Sequence, residues 1–382
     1  MSAMERILNL MAEKKASDVY LSARSPVLIK INGLCLPINN QLLPAEAIIT
    51  LLSEVLPAHR IKELQDTGEL NMAAGVDGIG NFRFSAMRQR GSFAVVIRFI
   101  TKDIPPLDSL KVPECLKSLI MEKRGLLLMV GATGAGKSTT LASMMDFRNE
   151  RLAGHILTIE DPIEFLFRNK KAIINQREVG TDTESMQVAL RNALRQAPDV
   201  ILIGEIRDRE TMSHAISYAQ SGHLCLATMH ANNSYQALNR ILNFYPVEVR
   251  PTLLGDLSAT LKGIISQRLL RTTKGERVPA VEVLLNTHLV SEMIDKGNLA
   301  GVQDAMEKSM AEGCQTFEQD IARLVQAGTV DRKEGMAYAD SPTNLMWRLS
   351  NDFSKSSKAV VVEEPEDDGP SFSDFSLDFK QD

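Results

Sequence analysis

The sequence lacks the features of exported, membrane-embedded and disulfide-stabilised proteins. No stretch approaches the roughly 18 consecutive apolar residues of a membrane-spanning helix. The segment 1–10 has acidic and polar residues where a secretory signal peptide carries its apolar core, so we expect no signal peptide. Four cysteines are scattered along the chain, at Cys35, Cys115, Cys225 and Cys314. This pattern argues against a disulfide framework or a structural zinc site, and we expect a cytoplasmic protein without a transmembrane segment.

Aromatic residues and excess positive charge are also scarce. Aromatics make up 5% of the chain, and the formal net charge is −5. Nine acidic residues and three lysines lie in 351–382, so the rest of the chain is close to neutral. A protein that tracks single-stranded nucleic acid needs a basic groove with interleaved aromatics. The composition therefore predicts that nucleic acid is not a partner.

The pattern of the chain changes at a proline-containing stretch, which predicts two domains. Residues 1–101 combine amphipathic helices with short alternating strands, including an Asn32-Gly33 hairpin signal, and predict a small α+β domain. Three prolines in 102–114 stiffen the chain and place a linker there. Residues 115–350 follow as a second domain.

Continuous apolar runs alternate with helix-length amphipathic stretches in this second domain. The runs are Leu126–Val130, His155–Ile159, Val200–Ile203 and Leu224–Thr228. Strands of this kind are buried on both faces, as in a parallel sheet covered by helices. From about 246 to 350 we expect mainly helix, for example over Pro251–Leu270 and Phe317–Gln326. The fold class is therefore α/β.

The acidic segment 351–382 has two open interpretations. One is a disordered, solvating tail, because the charge is high and the periodicity weak. The other is a docking peptide whose aromatics, Phe372, Phe375 and Phe379, fold onto a partner.

A phosphate-binding loop is the most specific signal in the chain. Residues 131–138 fit the pattern G-x-x-x-x-G-K-[ST], after a strand-like run and before a helix-like one. Glycines let the backbone N–H groups face phosphate oxygens, Lys137 supplies a charge for the β and γ phosphates, and Ser138 supplies a hydroxyl for Mg²⁺. We predict ATP binding by Gly131, Ala132, Thr133, Gly134, Ala135, Gly136, Lys137, Ser138 and Thr139.

Acidic residues follow two of the apolar runs. Glu205, after Gly204, is placed to orient the metal or its water, or else only ends a strand. Glu160, Asp161 and Glu164 form a second cluster, in which a carboxylate near the γ-phosphate could position water or accept its proton. The alternative for this cluster is a solvated loop.

Two histidines and a set of arginines complete the candidates. His223 and His230 bracket a short strand, and we favour donors that sense the nucleotide, because a strand end beside the phosphate loop is where ligands sit in such sheets. Zinc binding with Cys225 and purely structural histidines remain alternatives. Arg83, Arg88, Arg90 and Arg98 lie on the last strands of the first domain. They either belong to a solvated or ion-paired sheet face, or one of them reaches the γ-phosphate in a neighbouring subunit.

Together these blocks resemble the secretion ATPase superfamily, specifically the type IV pilus retraction ATPases of the PilT/PilU group. The resemblance covers about residues 5–345. It is carried by Ser17–Leu21, Gly131–Thr139, Ile159–Phe165, Asn175–Glu178, Ala193–Asp199, Gly204–Asp208, and Gly222-His223 with His230.

The resemblance implies an N-terminal PAS-like domain, a linker and a RecA-like ATPase domain that assemble into a homohexamer. It implies ATP bound between the domains, Mg²⁺ associated with Ser138 and Glu205, and a catalytic carboxylate at Glu164. It also implies a histidine box at His223 and His230 and donated arginines at Arg83 and Arg98. Implied partners are a paralogous retraction ATPase and an inner-membrane pilus platform protein, with the chain peripheral at the inner membrane of a piliated bacterium.

Two features depart from the PilT pattern. The stretch 288–297 lacks the arginines of the matching family segment, and 351–382 is additional. Both are similar to the PilU branch. They leave open whether the chain is a motor for pilus retraction or a non-motor ATP-binding ring that assists a paralogous motor. A RecA-like nucleic-acid translocase, a third interpretation, is supported by the core fold alone.

Overall fold

The computed structural model describes residues 1–31, 34–100, 104–308 and 311–351, which form two β-sheets with associated helices. The first part comprises α1 (Ala3–Glu13), β1 (Asp18–Ser22), β2 (Leu28–Ile31), β3 (Leu34–Pro37), α2 (Ala47–Ser53), α3 (Ala58–Thr67), β4 (Glu69–Val76), β5 (Gly80–Gln89) and β6 (Ser92–Ile100). The second begins with a 3₁₀ turn (Leu107–Leu110), α4 (Cys115–Ile120), β7 (Gly125–Val130), α5 (Lys137–Arg151), β8 (Gly154–Glu160), β9 (Ala172–Glu178), α6 (Met186–Ala193), β10 (Val200–Ile203), α7 (Arg209–Gln220) and β11 (Leu224–Met229). It continues through α8 (Ser234–Asn243), α9 (Arg250–Thr260), β12 (Leu261–Arg271), β13 (Arg277–Leu285), α10 (His288–Asp295), α11 (Ala300–Lys308), α12 (Phe317–Gln326), α13 (Arg332–Tyr338) and α14 (Pro342–Ser350).

The first sheet is antiparallel, with strand order β3-β2-β1-β6-β5-β4. Helix α1 buries its apolar stripe in the core on one face of this sheet, and a capping box of Ser2 and Glu5 fixes its start. Alternation along β5 buries Phe82 and Phe84 in the same core and turns Arg83 to the other face. The predicted Asn32-Gly33 turn lies outside the described residues, although β2 and β3 pair as that hairpin requires.

The second sheet has the order β13-β12-β7-β11-β10-β8-β9. Strands β12 to β9 in that list pair in parallel, and β13 runs antiparallel at one edge. Every residue of β7 and β10 is buried, and separate apolar cores lie on the two faces of the sheet. Parallel strands bring their carboxyl ends to a single edge, where ligands bind in sheets of this type. The predicted α/β fold class is confirmed.

The prediction of helix over Pro251–Leu270 is wrong for its second half. Helix α9 ends at Thr260, and the chain continues as strand β12 between β7 and β13. A short apolar run is compatible with both the helical and the strand period. Here the segment forms a strand because it pairs with a neighbouring strand on each side. Gly263 suits that position, since a Cβ there would lie 2.8 Å from the Leu284 carbonyl oxygen. Helix over Phe317–Gln326 is confirmed as α12.

The domain boundaries at 101/102, 114/115 and 350/351 stay predictions. Of the acidic segment, all residues after Asn351 lie outside the described ranges. Within those ranges no helix has both the length and the apolar character needed to cross a bilayer.

Candidate active site

The phosphate loop joins the carboxyl end of β7 to the start of α5. Gly131, Gly134 and Gly136 take φ values of 153°, 78° and 85°, which favour glycine over residues with a side chain. Space is also short, because a Cβ on Gly131 would lie 2.6 Å from the Gln267 carbonyl oxygen. Helix α5 begins at Lys137, so its amino end points at the loop and favours a bound anion.

Lys137 is folded back onto the loop. Its Nζ donates to the carbonyl oxygens of Gly131 at 2.7 Å and Ala132 at 3.0 Å. Burial lowers the pKa of the ammonium, and the nearby charges of Glu205 and Glu164 oppose this shift. Among the described residues, the groups that accept from Nζ are neutral carbonyl oxygens, so the cation is available for a phosphate that enters the loop.

Gln267 on β12 supports the phosphate loop through hydrogen bonds, and no sequence motif predicted this role. It is buried, its Nε2 donates to the Ala135 carbonyl at 2.7 Å, and its Oε1 accepts from the Thr140 hydroxyl at 2.8 Å. Its strand lay in the stretch expected to be helical, so sequence periodicity could not place this side chain against the loop.

A cavity of about 670 Å³ lies in front of the loop and is lined by residues of both parts of the chain. The phosphate loop from Thr133 to Thr139 forms one wall. Arg83 and Arg98, which are direct cross-strand neighbours on β5 and β6, contribute to the lining from the first sheet. The Arg98 Nε donates to Asp18 at 2.9 Å, although 60% of its side chain stays exposed. Both arginines therefore line, within a single chain, the same cavity as the phosphate loop.

Glu205 lies at the carboxyl end of β10, in the same cavity. Its carboxylate accepts from Arg207 Nε at 2.7 Å and lies 3.3 Å from His230 Nε2. Gly204 before it is crowded, because a Cβ would lie 3.1 Å from the Glu160 Cα. This close packing favours glycine at a position where many phosphate-loop enzymes have aspartate.

The acidic cluster after β8 divides into two environments. Glu164 is exposed, lines the cavity, and lies near enough to Lys137 to affect its titration. Glu160, at the end of β8, accepts from the Thr158 hydroxyl at 2.7 Å and from Gln176 Nε2 at 3.3 Å. Burial raises the pKa of Glu160 to about 7. The exposed Glu164 carboxylate is therefore accessible to a water molecule in the cavity, whereas hydrogen bonds fix the Glu160 carboxylate.

We expect the free energy of unfolding to depend on pH through Glu160. Its pKa of about 7 in the fold exceeds its ordinary value of 4.5, so the folded protein binds this proton more tightly than the unfolded chain does. The associated stabilisation is complete below the ordinary value and is lost as pH rises through 7. In urea unfolding of the nucleotide-free chain, the difference in free energy of unfolding between wild type and Glu160→Gln should change by about 3 kcal/mol over that pH interval. A gap that does not vary with pH would contradict the assignment.

The structure separates the two predicted histidines. His230 lies at the carboxyl end of β11 and lines the cavity beside Glu205. His223 precedes β11, and its carbonyl oxygen accepts from the Gly125 N–H at the start of β7. The predicted placement of His223 beside the phosphate loop is therefore wrong within this chain, because adjacency to a strand does not say at which end of the strand a residue lies. A functional role for His223 stays a prediction.

The zinc alternative gains no support from the geometry. The ring of His223 contacts the Ser221 hydroxyl and the Tyr218 carbonyl, and Cys225 is fully buried, which raises the pKa of its thiol. The described part of the chain contains no group of three His, Cys, Asp or Glu side chains suited to a metal ion.

The cavity does offer donors that fit magnesium. The Ser138 hydroxyl and the Glu205 carboxylate both line it, and both are hard oxygen ligands of the kind Mg²⁺ prefers. Magnesium commonly takes one or two protein ligands and completes its shell with phosphate oxygens and water. The donor set therefore fits a nucleotide-bound ion better than an all-protein cage.

Comparison with known proteins identifies the family. A family model described as "Type II/IV secretion system protein" matches residues 2–341. The chain belongs to this family. It is 45% identical over 342 residues to the type IV pilus ATPase PilU of Pseudomonas aeruginosa, covering 89% of this chain and 90% of the relative. It is 35% identical over 339 residues to the type IV pilus retraction ATPase PilT of the same organism, covering 89% and 98%.

The structure of this secretion ATPase also matches a solved relative. The crystal structure of the pilus retraction motor PilT with bound ADP aligns with a TM-score of 0.84 at 37% identity, over 91% of this chain and 99% of the other. The resemblance to the PilT/PilU group, the ATPase activity and the binding of nucleotide are thereby confirmed.

Proposed function

We propose that this secretion ATPase is one subunit of a hexameric motor that retracts type IV pili. The observation that carries the proposal is the composition of the cavity, which joins a phosphate loop to paired arginines of a separate sheet. A site built from two bodies couples nucleotide state to their relative orientation. The names of the relatives PilU and PilT supply the pilus context.

The loop and its neighbours bind the nucleotide in this mechanism. The backbone of 131–136 holds the phosphates of ATP, and Lys137 turns from the loop carbonyls to the β and γ oxygens. Ser138 and Glu205 would hold Mg²⁺, which would neutralise phosphate charge. Glu205 also accepts from Arg207 Nε at 2.7 Å, which holds its carboxylate at the cavity.

Residues around the rest of the cavity carry out hydrolysis. Glu164 orients the attacking water and accepts its proton. Arg83 and Arg98 place positive charge against the γ-phosphate and close the site when the first sheet approaches. His230, next to Glu205, responds to the presence of the γ-phosphate. Release of phosphate reopens the site, and the first sheet returns to its position before closure.

The proposed ring works at the inner membrane of a piliated bacterium, against a pilus platform protein and beside a paralogous retraction ATPase. A second candidate function is an accessory ring that binds ATP but mainly assists that paralogue. The segment around α10 favours it. Helix α10 buries Val290 and Ile294 and pairs Glu292 with Lys296, but 288–297 has no arginine to present to a partner.

Retraction measured in living cells separates these two functions. In a piliated host lacking its own copy of this chain, we expect Lys137→Ala to slow retraction of fluorescently labelled pili several-fold, because a motor needs turnover. Deletion of 352–382 should have a smaller effect. Full retraction with Lys137→Ala, together with loss on deletion of 352–382, would reject the motor and support the accessory ring.

A further inference from the structure

Glu178 is a buried carboxylate that ends strand β9. Only 4% of the residue is exposed. Its Oε2 accepts from the Ile163 N–H at 3.1 Å, and its Oε1 accepts from the Ala73 N–H at 3.2 Å and from the Thr181 hydroxyl at 3.1 Å. Burying a carboxylate costs free energy of desolvation unless hydrogen-bond donors compensate for it. These three donors therefore stabilise the buried carboxylate, and the carboxylate in turn fixes the positions of the donors.

The two backbone donors to Glu178 belong to different parts of the molecule. Ile163 is the residue before Glu164, in the acidic loop. Ala73 lies on β4, the edge strand of the first sheet. One carboxylate therefore bonds simultaneously to the loop that carries the proposed water-positioning residue and to the sheet that carries the arginines.

Strand register extends this link to the arginines. Ala73 is the cross-strand neighbour of Arg83, which in turn is the neighbour of Arg98. A second contact reinforces the junction, because Arg60 Nη2 donates to the Gly180 carbonyl at 2.7 Å in the turn after β9. The hydrogen bond from Ala73 to Glu178 therefore connects the cross-strand row that contains both arginines to the loop that carries Glu164.

We propose that Glu178 is a positioning residue that reports the position of the first sheet to Glu164. With the sheet in place, both carboxylate oxygens are occupied and the 161–165 loop is held in its hydrolytic geometry. When the sheet moves away, Oε1 loses the Ala73 N–H and the carboxylate shifts, which loosens Ile163. Hydrolysis then follows closure. This inference rests on the proposed role of Glu164.

Gln176 shows what purely local support of the same loop looks like. It lies two residues earlier on β9, accepts from the Phe167 N–H at 2.9 Å, and donates to the Phe165 carbonyl at 2.8 Å. Among the described residues, its hydrogen bonds stay within the second part of the chain. Glu178 differs because it also bonds across to β4.

The edge strand allows the cross-domain bond alone to be removed. The Ala73 N–H points away from β5, so Ala73→Pro deletes that donor without removing a bond of the β4–β5 ladder. Asn71→Pro is the matched control, because residues two apart on a strand point their N–H groups the same way. In the full chain, kcat and KM for ATP and hydrogen exchange of 161–165 are measured for both variants.

We expect Ala73→Pro to lower kcat about tenfold relative to Asn71→Pro, with KM changed less than about twofold and faster exchange in 161–165. Glu178→Gln, whose amide nitrogen cannot accept, should show the same split, and the double variant should be no worse than the worse single variant. Equal kcat and exchange for Ala73→Pro and Asn71→Pro would overturn the inference. Wild-type turnover of Glu164→Gln would instead reject the proposed function, so the two failures are distinguishable.

Discussion

Replacing Lys137 with alanine should reduce ATP hydrolysis by about a thousandfold or more, because the variant loses the charge that meets the β and γ phosphates. In the structure this ammonium is buried, rests on two loop carbonyls, and has a pKa lowered by burial. No other side chain of the loop carries a positive charge. ATP affinity should fall together with turnover.

Phosphate release and binding of a fluorescent ATP analogue measure the two effects on one preparation. Lys62→Ala is the control, because Lys62 is exposed on α3 and does not line the cavity. Hydrolysis by Lys137→Ala within about tenfold of wild type would contradict the phosphate-binding role of this residue.

Glu164→Gln should lower kcat by about a hundredfold to a thousandfold while leaving ATP binding intact. The amide keeps the size of the side chain but cannot accept the proton of the attacking water. Glu164 is exposed in the cavity, so its replacement should cost the fold little.

The control for this variant is Glu248→Gln, an exposed acid in the 3₁₀ turn Val247–Val249, away from the cavity lining. Equal turnover in Glu164→Gln and Glu248→Gln would show that another group handles the water. Glu160, whose pKa is raised to about 7 by burial, would then be the first alternative to test.

The phosphate loop could be predicted because its requirements are local. Three glycines at fixed offsets meet the need for positive φ, and the flanking apolar run and helix follow directly in the sequence. The orientation of Arg83 could also be predicted from local sequence, because alternation along β5 places its side chain on the face opposite Phe82 and Phe84.

The rest of the site depends on contacts between distant segments. Gln267 reaches the loop from a strand whose identity is decided by pairing with β7 and β13, which a one-dimensional pattern does not encode. The position of His223 depends on strand direction. Glu178 belonged to a motif seen in the sequence, but its role became visible only when β4 was placed beside it.

We propose that one cavity of this secretion ATPase binds ATP through the phosphate loop and hydrolyses it through Glu164. The most direct test is single-turnover phosphate release at saturating ATP and Mg²⁺, with bound nucleotide quantified in the same samples. We predict that Glu164→Gln fills with ATP like the wild type and releases phosphate at least about a hundredfold more slowly. A Glu164→Gln protein that releases phosphate as fast as the wild type would contradict the account.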